Sequence, residues 1–247
     1  MLFRNKAVLR LEAVDSTNNY AANLLKLTPL PEGTVITAQF QAQGRGQRGN
    51  AWESTNGLNC LFSIILYPTF LSAEKHFVLN QIISVALQGA IEDIIRKDVF
   101  IKWPNDMICE GKKIAGILPE VNWSGGKAQS AIVGIGVNVN QEVFTNSKAI
   151  SMKNVTSKSI DGDLVMMSIV DAIERAYQNV LHFGSEELIA NYDAHLFLQG
   201  TLSKFILPDD SIFEGTITGV DGDGRLIIVD TEGKPRVFGT KEVAFTY

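Results

Sequence analysis

An excess of positive charge is what this sequence most plainly lacks: 22 basic side chains face 27 acidic ones, a net charge of −5. That balance disfavours a non-specific hold on nucleic acid or on an anionic membrane. Cysteine is nearly absent. Cys60 and Cys109 are isolated thiols with no C-x-x-C pair, which fits a reduced, cytoplasmic compartment. Histidine is scarce as well: His76, His182 and His195 are scattered without metal-ligand spacing and read as structural. No cationic start leads into an apolar core, so no signal peptide is expected. No apolar run approaches the roughly 20 residues of a membrane span, so no anchor is expected either. Internal repeats and low-complexity stretches are missing too.

What is present is ordinary globular chemistry. The 247 residues, 45% hydrophobic and 20% charged, suffice for one large domain with a smaller one attached. Residues 7–14 read as a strand. Asp15 or Ser16 caps a helix running to about Leu27, and Thr34–Gln41 alternates as a strand. A Gly- and Arg-containing loop spans Gly44–Ser54, and Leu61–Tyr67 is a buried-type strand. Ser72 is read as the cap of a long helix to about Lys97, with Val78, Ile82, Ala86, Ala90, Ile91, Ile94 and Ile95 at helical spacing. Strands follow at Val99–Trp103 and Ala131–Val139, around a turn at Asn122–Lys127. Residues 141–162 read as a polar surface excursion. Asp163 caps a helix to about Phe183, and Ser185 a second to about Leu196. Beyond Gly200, short strands near 202–207, 212–220, 225–230 and 235–245 predict a small β-barrel. The expected division is 1–198 and 199–247.

Four stretches carry candidate chemistry. Ile101-Lys102-Trp103-Pro104-Asn105-Asp106 leads through a turn into Met107-Ile108-Cys109. A tight turn at Glu110-Gly111 then starts a return strand at Lys113, continuing Ile114-Ala115-Gly116. Lys102, Asp106 and Lys113 either face one anion-handling site or decorate a solvated hairpin; the hairpin alone leaves both open. Gly44-Arg45-Gly46-Gln47-Arg48-Gly49 matches G-x-G-x-x-G in form. No helix follows and no acidic residue stands about twenty positions on, so the dinucleotide reading is rejected. Such a loop can still wrap a phosphate with backbone N–H groups and guanidinium forks, or be a plain surface loop. Gly134-Ile135-Gly136-Val137-Asn138 ends a strand with glycines that admit close approach, by a ligand or at a bulge. Ser16-Thr17-Asn18 opens a helix, offering either hydroxyls to a ligand or a simple cap.

The co-occurrence of these blocks, in this order and with Trp52, resembles the biotin protein ligases over the whole chain. The resemblance implies an α+β fold, a mixed β-sheet with packed helices (a class II synthetase-like catalytic core), plus a small C-terminal SH3-like β-barrel. It implies activation of biotin by ATP and Mg²⁺ to biotinyl-5′-AMP, then transfer to one lysine of a biotin carboxyl carrier domain. The start of the chain, close to the core motifs, is expected to mark a short type without a DNA-binding domain. By match to the family pattern, Ser16, Thr17, Gln41, Gly44, Arg45, Gly46, Lys113, Gly116, Gly134 and Gly136 would contact biotin. Trp52, Asn105, Asn138 and Arg48 would contact ATP or the adenylate. Lys113 would be the essential lysine, Lys102 its support, and Asp106 an orienting or proton-accepting group and Mg²⁺ ligand.

One departure stands out. The family loop commonly reads G-R-G-R-x-G-R-x-W, whereas Gln47 and Asn50 stand here at two arginine positions. The resemblance implies that the first of those arginines helps retain the adenylate, so either Arg48 substitutes or retention is looser. A lipoate or octanoate ligase is the enzymatic alternative, but its Arg-Arg and Ser-Gly-Gly-Gly loop with a downstream histidine is missing. A non-catalytic biotin-sensing regulator is the other. DNA and membrane partners are not expected, and an exposed sheet edge leaves room for a homodimer.

Overall fold

The computed structural model describes residues 7–246, apart from the side chain of Arg48. Its order is β1 (Val8–Val14), α1 (Thr17–Leu27), β2 (Val35–Gln41), β3 (Cys60–Leu66), α2 (Phe77–Ile95), β4 (Phe100–Lys102), β5 (Asp106–Cys109), β6 (Lys112–Ser124), β7 (Lys127–Val137), α3 (Met152–Thr156), α4 (Gly162–Phe183), α5 (Glu186–Ala194), then β8 (Leu202–Ile206), β9 (Ile212–Val220), β10 (Leu226–Asp230), β11 (Pro235–Phe238) and β12 (Ala244–Phe245).

Seven strands form one sheet in the order β1-β2-β3-β7-β6-β5-β4. β1 and β2 run parallel, and the remaining pairs are antiparallel. β3 is buried along its whole length because both sheet faces are covered. Phe62, Ile64 and Leu66 join the large core shared with α2 and α4, while Ile65 points to the smaller cluster beneath α1. The period-2 alternation of a strand therefore also puts Ser63 on the α1 side.

The second sheet is antiparallel, in the order β11-β10-β9-β8-β12, and is compatible with an SH3-like barrel. It does not stand apart. Phe205, Ile217, Leu226 and Ile228 belong to the same apolar cluster as the first sheet's helices. Trp103 Nε1 donates to Gly224 O at 2.8 Å. A Cβ at Gly224 would stand 2.2 Å from the Phe77 ring, and its φ of +75° already favours glycine.

Several expectations shift. The helix predicted from Ser72 opens with a short 3-10 turn at Ala73–Lys75; the α-helix begins at Phe77 and ends where Arg96 turns left-handed. Asp161, not Asp163, caps α4: its carboxylate accepts from Asp163 N and Leu164 N. The turn predicted over Asn122–Lys127 shrinks to Gly125-Gly126, both at positive φ, so β6 and β7 are longer than expected. The excursion over 141–162 is partly interior. Ile150, Ser151 and Met152 are buried, and Ser151 and Asn154 form a reciprocal capping box for α3. The stretch predicted as one strand from 235 to 245 divides into β11 and β12. Finally, the segment Ala73–Ile95 is long and apolar enough to cross a membrane by length and composition, against expectation; 72% of its most apolar window is buried inside the protein, as a core helix requires.

Candidate functional site

Two cavities meet over the first sheet, beside α1. The inner one is walled by the start of α1, the end of β2, the 45–52 loop and the glycine positions of β6 and β7. The outer one is a groove between the β4–β5 turn and the C-terminal sheet, reaching Thr240, Lys241 and Phe245. Gly46, Gln47, Trp52, Asn105 and Lys113 line both.

The inner wall is a closed hydrogen-bond system. Ser16 takes the N-cap position of α1 in extended conformation, yet its hydroxyl makes no cap bond. Gln41 Oε1 accepts from Thr17 N at 2.7 Å and lies 3.1 Å from Thr17 Oγ1. Ser63 Oγ lies 2.7 Å from Thr17 Oγ1 and 2.6 Å from Asn18 Oδ1, and Asn18 Nδ2 donates to Leu118 O at 3.2 Å. The glycines leave room for these groups. A Cβ at Gly134 would meet Asn18 Oδ1 at 2.5 Å. A Cβ at Gly136 would meet the Trp52 indole at 2.6 Å, and one at Gly116 would meet Trp52 and the Lys113 Cε at 3.1 Å. These glycines therefore form a cradle for Trp52 and the lysine stem. Trp52 is anchored by its N–H to Gly44 O at 2.9 Å, while its buried Nε1 has no partner among the described residues.

Lys113 sits at the junction. Its Nζ lies 2.6 Å from Asp106 Oδ1 and 5.2 Å from the centre of the Trp52 ring. The Glu110-Gly111 turn, both residues at positive φ, closes the tight hairpin that brings β6 back beside β5. A register shift then lets Ile108 pair with Lys113 and Met107 with Ala115. That bulge lays the lysine stem over Gly116. The preceding turn is pinned from below: Asn105 Nδ2 donates to Ile117 O at 2.7 Å, and Asn80 Nδ2 to Pro104 O at 2.6 Å.

The expected site residues thus fall into three groups. Ser16, Thr17, Gln41, Arg45, Gly46, Trp52, Asn105, Lys113, Gly116, Gly134 and Gly136 meet at the inner cavity. Lys102 and Asp106 face the outer groove, with Lys102 Nζ 5.3 Å from the centre of the Phe245 ring. Gly44 and Asn138 lie behind the walls of these two cavities. Gly44 closes the loop on Trp52. Asn138 Nδ2 donates to Ile150 O at 3.1 Å and reaches Lys113 O at 3.4 Å, fixing the lysine's backbone, while its buried Oδ1 has no partner among the described residues. Arg45 is ion-paired with Glu120 at 2.9 Å at the cavity mouth. The Arg48 side chain lies outside the described residues.

Sequence reasoning overlooked Ser63, Leu118 and Phe245. For Ser63 a signal existed: it is the lone hydroxyl in Cys60–Leu66, an otherwise apolar run. No cluster of three or more metal-ligating side chains occurs among the described residues.

A mixed sheet carrying a glycine-walled polar cavity that opens into a cationic groove, with a small β-sheet unit docked at the groove, defines a two-compartment ligand-binding domain. The profile of the Biotin/lipoate A/B protein ligase family matches residues 11–138, and that of the Biotin protein ligase C terminal domain matches residues 204–244. The Biotin--[acetyl-CoA-carboxylase] ligase of Paracoccus denitrificans is 30% identical over 247 residues, covering 95% of this chain and 99% of the relative. The Bifunctional ligase/repressor BirA of Bacillus subtilis is 29% identical over 228 residues, 90% of this chain and 70% of the relative. The biotin protein ligase of Aquifex aeolicus, in complex with biotin and ATP, superimposes with a TM-score of 0.80 at 26% identity, over 98% of this chain and 99% of that one. The chain belongs to the biotin/lipoate A/B protein ligase family.

Proposed function

We propose that this chain is a biotin protein ligase, which activates biotin with ATP to biotinyl-5′-AMP and transfers biotin to a lysine of a biotin carboxyl carrier domain. The observation that carries this reading is the position of Lys113 on the wall common to the inner cavity and the outer groove. Biotin would occupy the inner cavity, against Ser16, Thr17, Gln41, Arg45, Gly46, Gly116, Gly134 and Gly136. ATP would lie in the groove with Trp52, Asn105 and Lys102. One ammonium then neutralises both anions where the carboxylate must meet the α-phosphate. A biotin carboxylate oxygen attacks the α-phosphorus and pyrophosphate leaves. The carrier lysine amine next attacks the acyl carbon, AMP departs, and the amine loses a proton. Asp106 holds Lys113 at 2.6 Å and faces the groove, so it can orient the ammonium and take that proton.

Mg²⁺ fits this donor set. The ion is commonly held through one or two carboxylates together with substrate phosphates, and Asp106 is the carboxylate at the groove. It would supply charge neutralisation on the phosphates. The unpartnered Trp52 Nε1 and the cation–π arrangement at Phe245 suit a nucleotide in the same place. Residues 1–198 would form the catalytic domain, and 199–247 a barrel that completes the groove. Two buried free thiols and the use of ATP fit a cytoplasmic enzyme. Among the described residues β1 has a neighbour on one side only, an edge through which a homodimer could form.

The deciding experiment is incubation with ATP, Mg²⁺, an equal mixture of biotin and lipoate, and a purified carrier domain, read by intact mass. Gain of one biotinyl group is expected. Gain of lipoyl alone, or of nothing, would overturn the reading in favour of a lipoate ligase or a non-catalytic regulator.

A further inference from the structure

The inner wall contains more short oxygen contacts than protons to fill them. Three contacts join four groups: Ser63 Oγ to Asn18 Oδ1 at 2.6 Å, Ser63 Oγ to Thr17 Oγ1 at 2.7 Å, and Thr17 Oγ1 to Gln41 Oε1 at 3.1 Å. Only the two hydroxyls bring a proton each. The orientation of Asn18 is settled by its other end. Its amide nitrogen donates to Leu118 O, and the flipped amide would set two carbonyl oxygens against each other. Asn18 Oδ1 can therefore only accept, and the Ser63 proton goes to it. The 2.7 Å contact then requires the Thr17 proton, which points at Ser63 Oγ. The longest contact is left without a proton, at little cost, because Gln41 Oε1 already accepts from Thr17 N at 2.7 Å. Any other assignment leaves two oxygens at 2.6 or 2.7 Å with nothing between them.

We propose that Ser63, which lies behind the cavity wall, and Asn18, which lines the cavity but has both ends of its amide engaged by Ser63 and Leu118, fix the Thr17 hydroxyl as a hydrogen-bond acceptor toward the cavity and so select a ligand that presents an N–H there. The inference rests on the biotin reading, and biotin's cyclic urea carries two such N–H groups. A saturated dithiolane ring has none, so the same wall rejects it by leaving a buried acceptor unpaired. Discrimination of that kind exceeds what the shape of an apolar pocket achieves. Ser63 and Asn18 have the burial such a relay needs, 0% and 2% exposed, and the Ser63 backbone is fixed by pairing with Gly134 in the middle of the sheet. A hydroxyl on an outer strand could rotate or be met by water, and its polarity would be free.

The test compares biotin with the two isosteric cyclic carbamates in which one or the other ureido N–H is replaced by a ring oxygen. Binding is read by calorimetry on the full chain, with thermal melting as a control for folding. Wild-type protein is expected to disfavour one carbamate by at least tenfold, and Ser63→Ala to shrink that ratio at least fivefold. On a Thr17→Val background, Ser63→Ala should leave the ratio unchanged, because the relay acts through Thr17; a merely structural serine would not show that dependence. Equal binding of both carbamates and biotin by the wild type overturns the proposal even if no variant folds. So does an unchanged ratio in a folded Ser63→Ala. Failure of wild type to bind biotin at all would instead overturn the function proposed above.

Discussion

The two halves of the site are built from opposite materials. The back wall of the inner cavity, away from Arg45 and Lys113, is made of neutral groups, Thr17, Asn18 and Gln41, whose polar atoms bond one another through Ser63 behind them. The outer groove is made of charges and aromatic rings at the seam with the C-terminal sheet: Lys102 over Phe245, and Lys113 against Asp106 and Trp52. A neutral, prearranged wall suits recognition of a heterocycle, where each donor must meet an acceptor. A charged and more open groove suits polyphosphate, where field strength matters more than direction. The halves should therefore respond differently to damage. Inner changes should alter which acid is chosen, and outer ones how well nucleotide is held.

The largest effect should come where the halves join. Lys113→Ala removes the one cation that serves both anions. Adenylate formation, measured by pyrophosphate exchange, should fall by about a thousandfold, the scale of losing a preorganised charge-stabilising group. Thermal stability should hardly move, because Lys113 is partly exposed and its ion pair with Asp106 is partly solvated. A mutant that still exchanges at wild-type rate would remove Lys113 from the chemistry.

Gly136→Ala probes the cradle that both halves share. Its Cβ would stand 2.6 Å from the Trp52 ring, so the indole must move. Overpacking of this kind costs about 1–3 kcal/mol, and affinity for biotin and for ATP should fall together, by roughly ten- to a hundredfold. Loss of one affinity alone would mean that Trp52 belongs to a single compartment. Gln47→Arg works in the opposite sense. Gln47 lines both cavities, and a guanidinium there adds a charged hydrogen bond worth about 1.5–3 kcal/mol. Escape of biotinyl-AMP, measured by filtration after a single turnover, should slow by about tenfold or more. An unchanged rate would mean that the adenylate is already retained without an arginine at position 47.

How much of this contrast could be read from the sequence follows its physical origin. The hairpin was legible because Glu110-Gly111 leaves the chain few other ways to turn, and the glycines of β6 and β7 because a strand gains nothing from them unless something approaches. α1, β1 and β2 were legible from period and punctuation alone. Cap choice was harder: Asp161 and Asp163 are both competent caps, and only the fold shows that Asp163 pairs with Arg10 on the surface instead. Burial of Ile150–Met152 was hidden because a polar, irregular stretch gives no sign that Lys113 O and Asn138 O will receive its backbone N–H groups. Phe245 was missed for a related reason: it matters through what stands opposite it, and no local pattern carries that information. Ser63 had a local signal, a lone hydroxyl in an apolar strand, but not the identity of its partners.

The seam between α5 and the C-terminal sheet, outside both cavities, contains a titrating group. Asp193, at the end of α5, packs against Gly219, and Val220 N donates to it at 3.3 Å. Burial outweighs that bond and pushes its carboxyl up to about 6 from the usual 3.8. Below the unfolded-state value the carboxyl is protonated in both states and costs nothing. As pH rises through the folded-state value, ionisation in the fold becomes unfavourable and stability is lost. About 2 pK units correspond to at most about 3 kcal/mol; partial exposure reduces the expected loss to about 1–2 kcal/mol. Asp193→Asn should therefore be more stable than wild type at pH 8 by that amount in urea unfolding, and should flatten the stability slope between about pH 4 and 6. An unchanged slope would mean that the carboxylate is solvated at this seam.

The smallest effect tests whether the second sheet takes part in the groove at all. Phe245→Ala removes the ring beneath Lys102 Nζ, a contact worth about 0.5–1 kcal/mol at a partly exposed site. Lys102 then samples more of the groove, so KM for ATP should rise about two- to fivefold. KM for biotin should stay unchanged, because Phe245 lies only on the outer side. A rise in the biotin value with no change for ATP would reverse the assignment of the two compartments. A change in neither would reduce the C-terminal sheet to a support for Phe77 and Trp103. The comparison therefore turns on this modest substitution: the Lys113 and Gly136 variants damage a place both halves share, and Phe245 touches the outer one alone.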